Sequence, residues 1–223
     1  MKKKTLVSWS SGKDCAWALH TLQQDPSVEV TGLFTVLNAQ SERVGMHTTR
    51  LQLLKQQATA AQLPLHIIYL PEHPCSNEKY DTVMGKAVAD FIAQGIQCIA
   101  FGDLFLEDIR AYRESKMAGT GIELLFPLWN IPTAELAQQM LAGGLDTYIS
   151  SVDLAKLPAS IAGQRWSNEL LATFPAEVDP CGENGEIHTI VVNGPMFTQP
   201  ISVTVGAISE AGGYAYADIL PDS

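Results

Sequence analysis

The sequence predicts an α/β fold, a doubly wound parallel sheet followed by a smaller α+β C-terminal domain, and three observations carry that reading. Short β-rich runs alternate with amphipathic stretches of helical period through the first half of the 223 residues, the pattern of stacked βαβ units. A Ser/Gly turn joins the first such run directly to the first helical stretch. The tail then changes character, becoming a series of β-rich runs parted by Asn-Gly and Gly-Gly, which are hairpin signals.

Taken in order, 5–10, 28–37, 65–70 and 97–102 read as strands rich in β-branched and aromatic residues. Between them, 13–24 places Cys15, Ala18, Leu19 and Leu22 at the i, i+3, i+4, i+7 spacing of one buried helical face. Stretches 46–62 and 77–94 fill the next two crossovers. A helix over 107–118 leads to a short fifth strand, 122–126, which stops at Pro127 because proline cannot donate to a ladder. Beyond lie a helix over 133–142, a strand at 147–152, a helix over 166–174 and β-runs at 187–192, 201–208 and 213–219. The division falls near residue 130, giving 1–130 and 131–223.

A chain that is 46% hydrophobic and 17% charged can bury a substantial core. Its four cysteines, Cys15, Cys75, Cys98 and Cys181, form no C-x-x-C pair, so no zinc ribbon or dithiol motif is expected. The basic start Lys2-Lys3-Lys4 precedes too short an apolar run for a signal peptide, and no uncharged apolar run approaches the roughly 20 residues of a membrane span. A soluble, cytoplasmic protein without a membrane partner is expected, and self-association stays open. Net charge is -10, which argues against a nucleic-acid partner. The charge is also uneven: after Arg165 there is no basic residue, while Glu169, Glu177, Asp179, Glu183, Glu186, Glu210, Asp218 and Asp222 follow.

The first βα turn reads Ser10-Ser11-Gly12-Lys13-Asp14-Cys15. In an open α/β sheet this turn presents unpaired N–H groups and a helix N-terminus to an anion. It is not a Walker A loop, because Val7 stands where the first glycine belongs and Asp14 where Ser/Thr belongs. It is a candidate pyrophosphate cradle in which Lys13 neutralises phosphate charge and Asp14 holds Mg²⁺ or orders the loop. An ordinary serine-rich helix cap is the competing reading.

The loop resembles the S-G-G-x-D-S signature of N-type ATP pyrophosphatases, from which Ser11 and Cys15 depart. Two further stretches extend the likeness: Phe101-Gly102-Asp103 running on to Pro127-Leu128-Trp129, and Asp179-Pro180-Cys181-Gly182-Glu183-Asn184-Gly185-Glu186-Ile187-His188-Thr189 followed by Asn193-Gly194-Pro195. From Leu6 to Phe197 the chain resembles the diphthine-ammonia ligase family, departing at Ile187, where an aromatic is usual. The resemblance implies a PP-loop (HUP-like) fold and an ATP-dependent ligase. Such an enzyme adenylates a carboxylate and forms an amide with ammonia, releasing AMP and pyrophosphate; the family's acceptor sits on a modified histidine of an elongation factor. Ser10, Ser11, Gly12, Lys13, Asp14, Cys15, Phe34, Thr35, Gly102 and Asp103 are then expected at ATP, with Lys13 and Asp14 catalytic and the adenine near the end of the second strand.

Glu183 and Glu186 flank Asn184-Gly185, and a turn there puts both carboxylates on one side, facing a cationic acceptor. A solvated acidic turn is the alternative. Arg110 and Arg113, with Lys116, recur every third residue beside the sheet edge; they reach the adenylate and acceptor or pair with Glu107 and Glu114. His188 lies within the Gly-Glu motif and is assigned to the acceptor side. His47 stands in the loop after the second strand, near where a base is approached, whereas His20, His66 and His73 read as ordinary structural histidines. Two rival functions remain: a non-catalytic ATP-binding module, and a PP-loop enzyme acting on another small molecule or on tRNA. A persulfide-carrying sulfurtransferase using Cys15 or Cys181 is a lesser one.

Overall fold

The computed structural model describes residues 1–71 and 75–222; His73 lies outside them. Five parallel strands, β1 (Lys3–Ser8), β2 (Val28–Asn38), β3 (Leu65–Leu70), β4 (Cys98–Ala100) and β5 (Glu123–Leu125), form a sheet in the order β3-β2-β1-β4-β5. The order reverses between β1 and β4, so the crevice of a doubly wound sheet opens at their carboxyl ends. Crossovers are α1 (Lys13–Gln24), α2 (Leu51–Ala60), α3 (Asn77–Ala93) and α4 (Glu107–Met117). α5 (Thr133–Ala142) then leads to an antiparallel sheet of β6 (Asp146–Asp153), β7 (Ile187–Asn193), β8 (Val203–Ala211) and β9 (Tyr214–Pro221), ordered β7-β6-β9-β8, with the short α6 (Asn168–Leu171) between β6 and β7.

The α1 stripe is buried as its spacing predicts, with Ala18 and Leu19 fully enclosed. Gly212 and Gly213, both at positive φ (59° and 84°), close the β8–β9 hairpin, the conformation for which a Gly-Gly turn is suited. Among the described residues, no helix is long and apolar enough to cross a membrane.

Strand ends shift, 97–102 to Cys98–Ala100 and 201–208 to Val203–Ala211, and two helices differ most from the sequence expectation. The second helix begins at Leu51, not residue 46, because Val44 and Arg43 make isolated bridges to Leu37 and Arg50 and Thr48 sits at φ 54°. The helix expected over 166–174 contracts to Asn168–Leu171, capped by the Ser167 hydroxyl.

The two sheets share one hydrophobic cluster that runs from Val7, Trp9 and Leu19 through Leu53 to Ile149, Val191 and Ala217. One buried side chain sits at their junction. Gln57 of α2 is fully enclosed; its Nε2 donates to Ser11 O (3.2 Å) and to Val191 O (2.8 Å), and its Oε1 accepts from Trp9 Nε1 (2.8 Å). Replacing it with leucine of similar volume strands Trp9 Nε1 and Val191 O, each at a cost of about 1–3 kcal/mol, and removes one of the two bonds to Ser11 O, worth about 1 kcal/mol, the other coming from Val191 N. We expect Gln57→Leu to lose at least about 3 kcal/mol of stability in urea titration; a loss under about 1 kcal/mol contradicts this role.

Candidate active site

β1 ends at Ser8, and the turn over 9–12 carries the chain into α1. The turn is unusual at Ser11, a buried non-glycine residue at φ 78°. Glycine tolerates that region without strain and serine does not. Here the side chain is used: Ser11 Oγ lies 2.5 Å from Thr49 Oγ1, tying the phosphate loop to the segment ahead of α2. Cys15, the second departure from the expected signature, turns its Sγ back onto Gly12 O (3.1 Å), and Ser10 Oγ approaches the same sulfur at 3.5 Å. Its thiol is buried and pushed up to about 11 by desolvation. Cys15 therefore braces the turn as a neutral thiol.

The far side of the loop rests on β7. Val191 N donates to Ser11 O (2.9 Å), and Lys13 N donates to Thr189 Oγ1 (3.1 Å). A side chain at Gly12 would meet His47 Cε1 at 2.8 Å, and one at Gly102 would meet the Asp14 and Cys15 backbone at 2.7 Å. Both glycines are thus demanded by close approach.

A cleft of about 230 Å³ opens at this point, lined by Ser10, Lys13, Asp14, Cys15, His47, Gly102, Asp103, Arg113, Glu183, His188 and Thr189. Lys13 is 2% exposed although it is the first residue of α1. Its Nζ bonds Asp14 Oδ2 at 2.9 Å and stands 5.8 Å from the Trp166 ring centroid. Burial opposes the lysine's charge, but Asp14 and its other acidic neighbours outweigh it, so the ammonium is retained. Asp14 Oδ1 is buried with no partner. An orphaned carboxylate oxygen beside the phosphate loop fits Mg²⁺, which is commonly held by one or two carboxylates together with substrate phosphates; no cluster of three or more metal-binding side chains occurs among the described residues.

Beside the cleft, and sharing Ser8, Phe101 and Arg113 with it, is an apolar slot of about 140 Å³ walled by Phe34, Val36, Tyr80, Met84 and Val88. Thr35 does not belong to it: alternation along β2 turns that side chain to the opposite face, where its hydroxyl is buried without a partner.

The expected acceptor residues separate. Glu183 faces the cleft, with Oε1 accepting from Leu104 N at 2.8 Å. Burial pushes its carboxyl up to about 7 against the pull of that N–H, with Asp14 adding to the rise. Glu186 does not share that side, a correction to the sequence reading. It is 2% exposed, and its Oε1 accepts from Asp179 N (3.3 Å) and Asn184 Nδ2 (3.1 Å), which closes the loop internally. Gly185 supplies positive φ (88°) for the turn, so neither it nor Asn184 lines the cleft. Arg113 reaches the cleft but is engaged by Asp103 through Nε–Oδ2 (2.5 Å) and Nη2–Oδ1 (3.0 Å). Arg110 points elsewhere, its guanidinium 4.7 Å from the Phe126 and Trp129 rings and bonded to Glu114 at 2.8 Å; Lys116 pairs with Asp81.

His47 and His188 meet in the cleft with ring centroids 4.8 Å apart. His47 Nδ1 lies 2.9 Å from Thr189 O; a carbonyl only accepts, so Nδ1 carries the proton and Nε2 keeps a free lone pair. Burial first, with Lys13 adding to it, lowers His47 to about 4, and burial and His47 lower His188 to about 3. Both imidazoles are neutral at physiological pH. Sequence reasoning passed over Thr189, Thr49 and Gln57; Thr189 stood in the Gly-Glu motif, while the other two carry no local signal because their partners are 38 or more positions away.

A parallel sheet whose first βα turn carries a buried Lys-Asp pair at the switch point is the architecture of ATP-using PP-loop enzymes, and the family match agrees with that class. Residues 3–122 match the Diphthamide synthase N-terminal domain and residues 133–219 the Diphthamide synthase C-terminal domain. The chain belongs to the diphthamide synthase family. No curated protein matches it. Among solved structures it is similar to the U34-tRNA thiolase NcsA from Methanococcus maripaludis with its [4Fe-4S] cluster, at 19% identity and a TM-score of 0.39, over 62% of this chain and 55% of that one.

Two outcomes follow from this geometry. Ser11→Gly relieves about 1–2 kcal/mol of left-handed strain. It also loosens the unfolded chain by about 0.4–1 kcal/mol and leaves Thr49 without its buried partner at about 1–3 kcal/mol. We expect a net loss of about 1 kcal/mol in urea titration, whereas a stabilised variant would show that the Thr49 bond contributes nothing. Glu183 is raised from an ordinary 4.5 to about 7, so between those values the folded state holds a proton that the unfolded state has released. The stabilising contribution is whole below about 4.5 and lost above about 7. Glu183→Gln, which keeps an acceptor for Leu104 N, should therefore melt progressively higher than the parent as pH rises from 5 to 8; parallel melting curves would contradict it.

Proposed function

We propose that the chain is an ATP-dependent ligase that adenylates a carboxylate and forms an amide with ammonia, releasing AMP and pyrophosphate. In this reading residues 1–130 hold ATP and 131–223 present the acceptor. The observation that carries it is the buried Lys13–Asp14 pair at the start of α1, with Asp14 Oδ1 unpartnered in a cleft whose opposite wall bears Glu183.

ATP lies with its base in the Phe34/Val36 slot and its phosphates against Ser10 to Cys15, where first-turn N–H groups and the helix dipole favour negative charge. Lys13 shifts from Asp14 toward the phosphates and balances the charge that develops as pyrophosphate departs. Asp14 is the residue that would hold Mg²⁺, which supplies neutralisation of phosphate charge when bound. The acceptor carboxylate attacks the α-phosphorus; the bond to the bridging oxygen of the β-phosphate breaks, and its electrons leave with pyrophosphate. The resulting acyl adenylate is open to nitrogen from the Glu183 side. Family membership supports ATP use, and a carboxylate on a modified histidine of an elongation factor is the acceptor the family suggests. The raised thiols of Cys15 and Cys181 offer no support for persulfide chemistry.

The test supplies ATP, Mg²⁺, ammonium chloride and an elongation factor bearing diphthine. AMP and pyrophosphate should appear in equal amounts and depend on the acceptor. Asp14→Asn and Lys13→Met should each lower turnover by roughly thirty- to thousandfold, the loss of about 2–4 kcal/mol of charge stabilisation. ADP as product, or full turnover by both variants, would overturn the reading.

A further inference from the structure

The charges of the cleft pair off with one left over. Lys13 is matched by Asp14 and Arg113 by Asp103. His47 and His188 are neutral. Glu183 makes no ion pair among the described residues, although Lys13 lies near enough to act on it: Leu104 N–H holds Oε1, and no hydrogen bond among the described residues takes up Oε2. A carboxylate that carries the cleft's one unmatched negative charge and has an oxygen with spare acceptor capacity is a receptor for a small cation. Building on the ligase reading above, we propose that Glu183 is the residue that receives the ammonium ion and takes its proton, delivering ammonia to the acyl adenylate.

Two kinds of cation meet this description, ammonium itself and a quaternary ammonium group on the acceptor. The lining favours the first. A quaternary ammonium donates no hydrogen bond and is recognised by stacked aromatic faces, whereas among the described residues Phe101 is the only Phe, Tyr or Trp that lines the cleft. Ammonium donates four hydrogen bonds and finds Glu183 Oε2 and the free Nε2 of His47 as acceptors within one cavity.

The proton step separates the carboxylate from the imidazoles. Ammonium must lose a proton before its nitrogen has a lone pair to offer. The base best suited to this has a pKa near the working pH. Glu183 is pushed up to about 7 by burial, against Leu104 N–H and Lys13 and with Asp14 and Asp103 reinforcing it, and the Cys181 thiol also faces it. The imidazoles, at about 4 and about 3, are far weaker bases. In the balanced step one N–H bond of ammonium breaks as the Glu183 O–H bond forms. The ammonia lone pair makes the C–N bond, the acyl C–O bond breaks with its electrons passing to AMP, and the remaining surplus proton on nitrogen leaves to water.

The test has one arm that needs no acceptor. With Mg²⁺ and α,β-methylene-ATP at pH 8, ammonium chloride should raise the melting temperature of the parent protein above that in equal sodium chloride, since a ligand that binds only the folded state stabilises it; the Glu183→Gln variant should show no difference. Equal melting in the two salts overturns the proposal, as does tetramethylammonium chloride matching or exceeding ammonium. The second arm uses the diphthine-bearing factor. Glu183→Gln should raise the KM for ammonium by at least about tenfold, the scale of one charge-assisted hydrogen bond, with Glu183→Asp partly restoring it. Hydroxylamine, already unprotonated at pH 8, should be used by Glu183→Gln nearly as well as by the parent. An equal loss with both nucleophiles rejects the proton-accepting role. Absence of AMP with either nucleophile in the parent protein rejects the ligase reading, while the melting arm still decides whether ammonium binds at Glu183.

Discussion

The turn over 9–12 is held not only by the strand and helix it joins but also by the amide of Gln57 and the edge of β7. Gln57 bridges Ser11 O and Val191 O while taking Trp9 Nε1, and Val191 N completes a second bond to Ser11 O. Buried amides with every partner supplied fix geometry, because any displacement strands groups that have no access to water. The position of Lys13 and Asp14, the contact of His47 with Gly12 and the approach of Gly102 to the helix start all depend on that anchorage. The site therefore belongs to both sheets, although its signature occupies six consecutive residues.

The second sheet acts on the cleft in two different ways. Through Thr189 and Val191 it buttresses the phosphate side, using backbone and hydroxyl groups that carry no net charge. Through Glu183 it adds a negative charge on the opposite wall. Glu186, three positions on, gives its Oε1 to the loop that presents Glu183, while its Oε2 is buried without a partner. Two acids in one short motif thus serve unlike ends, one structural and one directed to the cavity, and burial is what divides them.

The strands of the parallel sheet and the helix beginning at Lys13 were legible because each is a local pattern with a strong period, Leu19 and Leu22 on one face, β-branched residues in the runs. The same holds for the Gly-Gly hairpin of the tail. What stayed hidden depends on partners distant in the chain. Nothing near Gln57 announces that Ser11 and Val191 will close on it, and the segment before Leu51 has helical letters yet is pulled into bridges by Leu37 and Arg50. Arg110 and Arg113 look alike three residues apart, but one faces Phe126 and Trp129 and the other Asp103 and Phe101. Thr35 was misplaced for a simpler reason: next to Phe34 in a strand, it must point the other way.

The last strand also reaches back to the loop bearing His47. Asp218 of β9 takes Arg50 through both of its oxygens and Arg43 through one, at 3.1 Å for the latter. The chain's first functional segment is accordingly among the last to be finished as the protein is made. When residues 10–15 leave the ribosome, the strand that steadies them is some 175 residues from being translated. N-terminal portions of nascent chains generally begin folding first, yet here an early βαβ unit emerges without Thr189, Val191 or Asp218 and so without a set cradle. A nascent fragment ending before β7 would carry every letter of the turn over 10–15 without the groups that set its geometry.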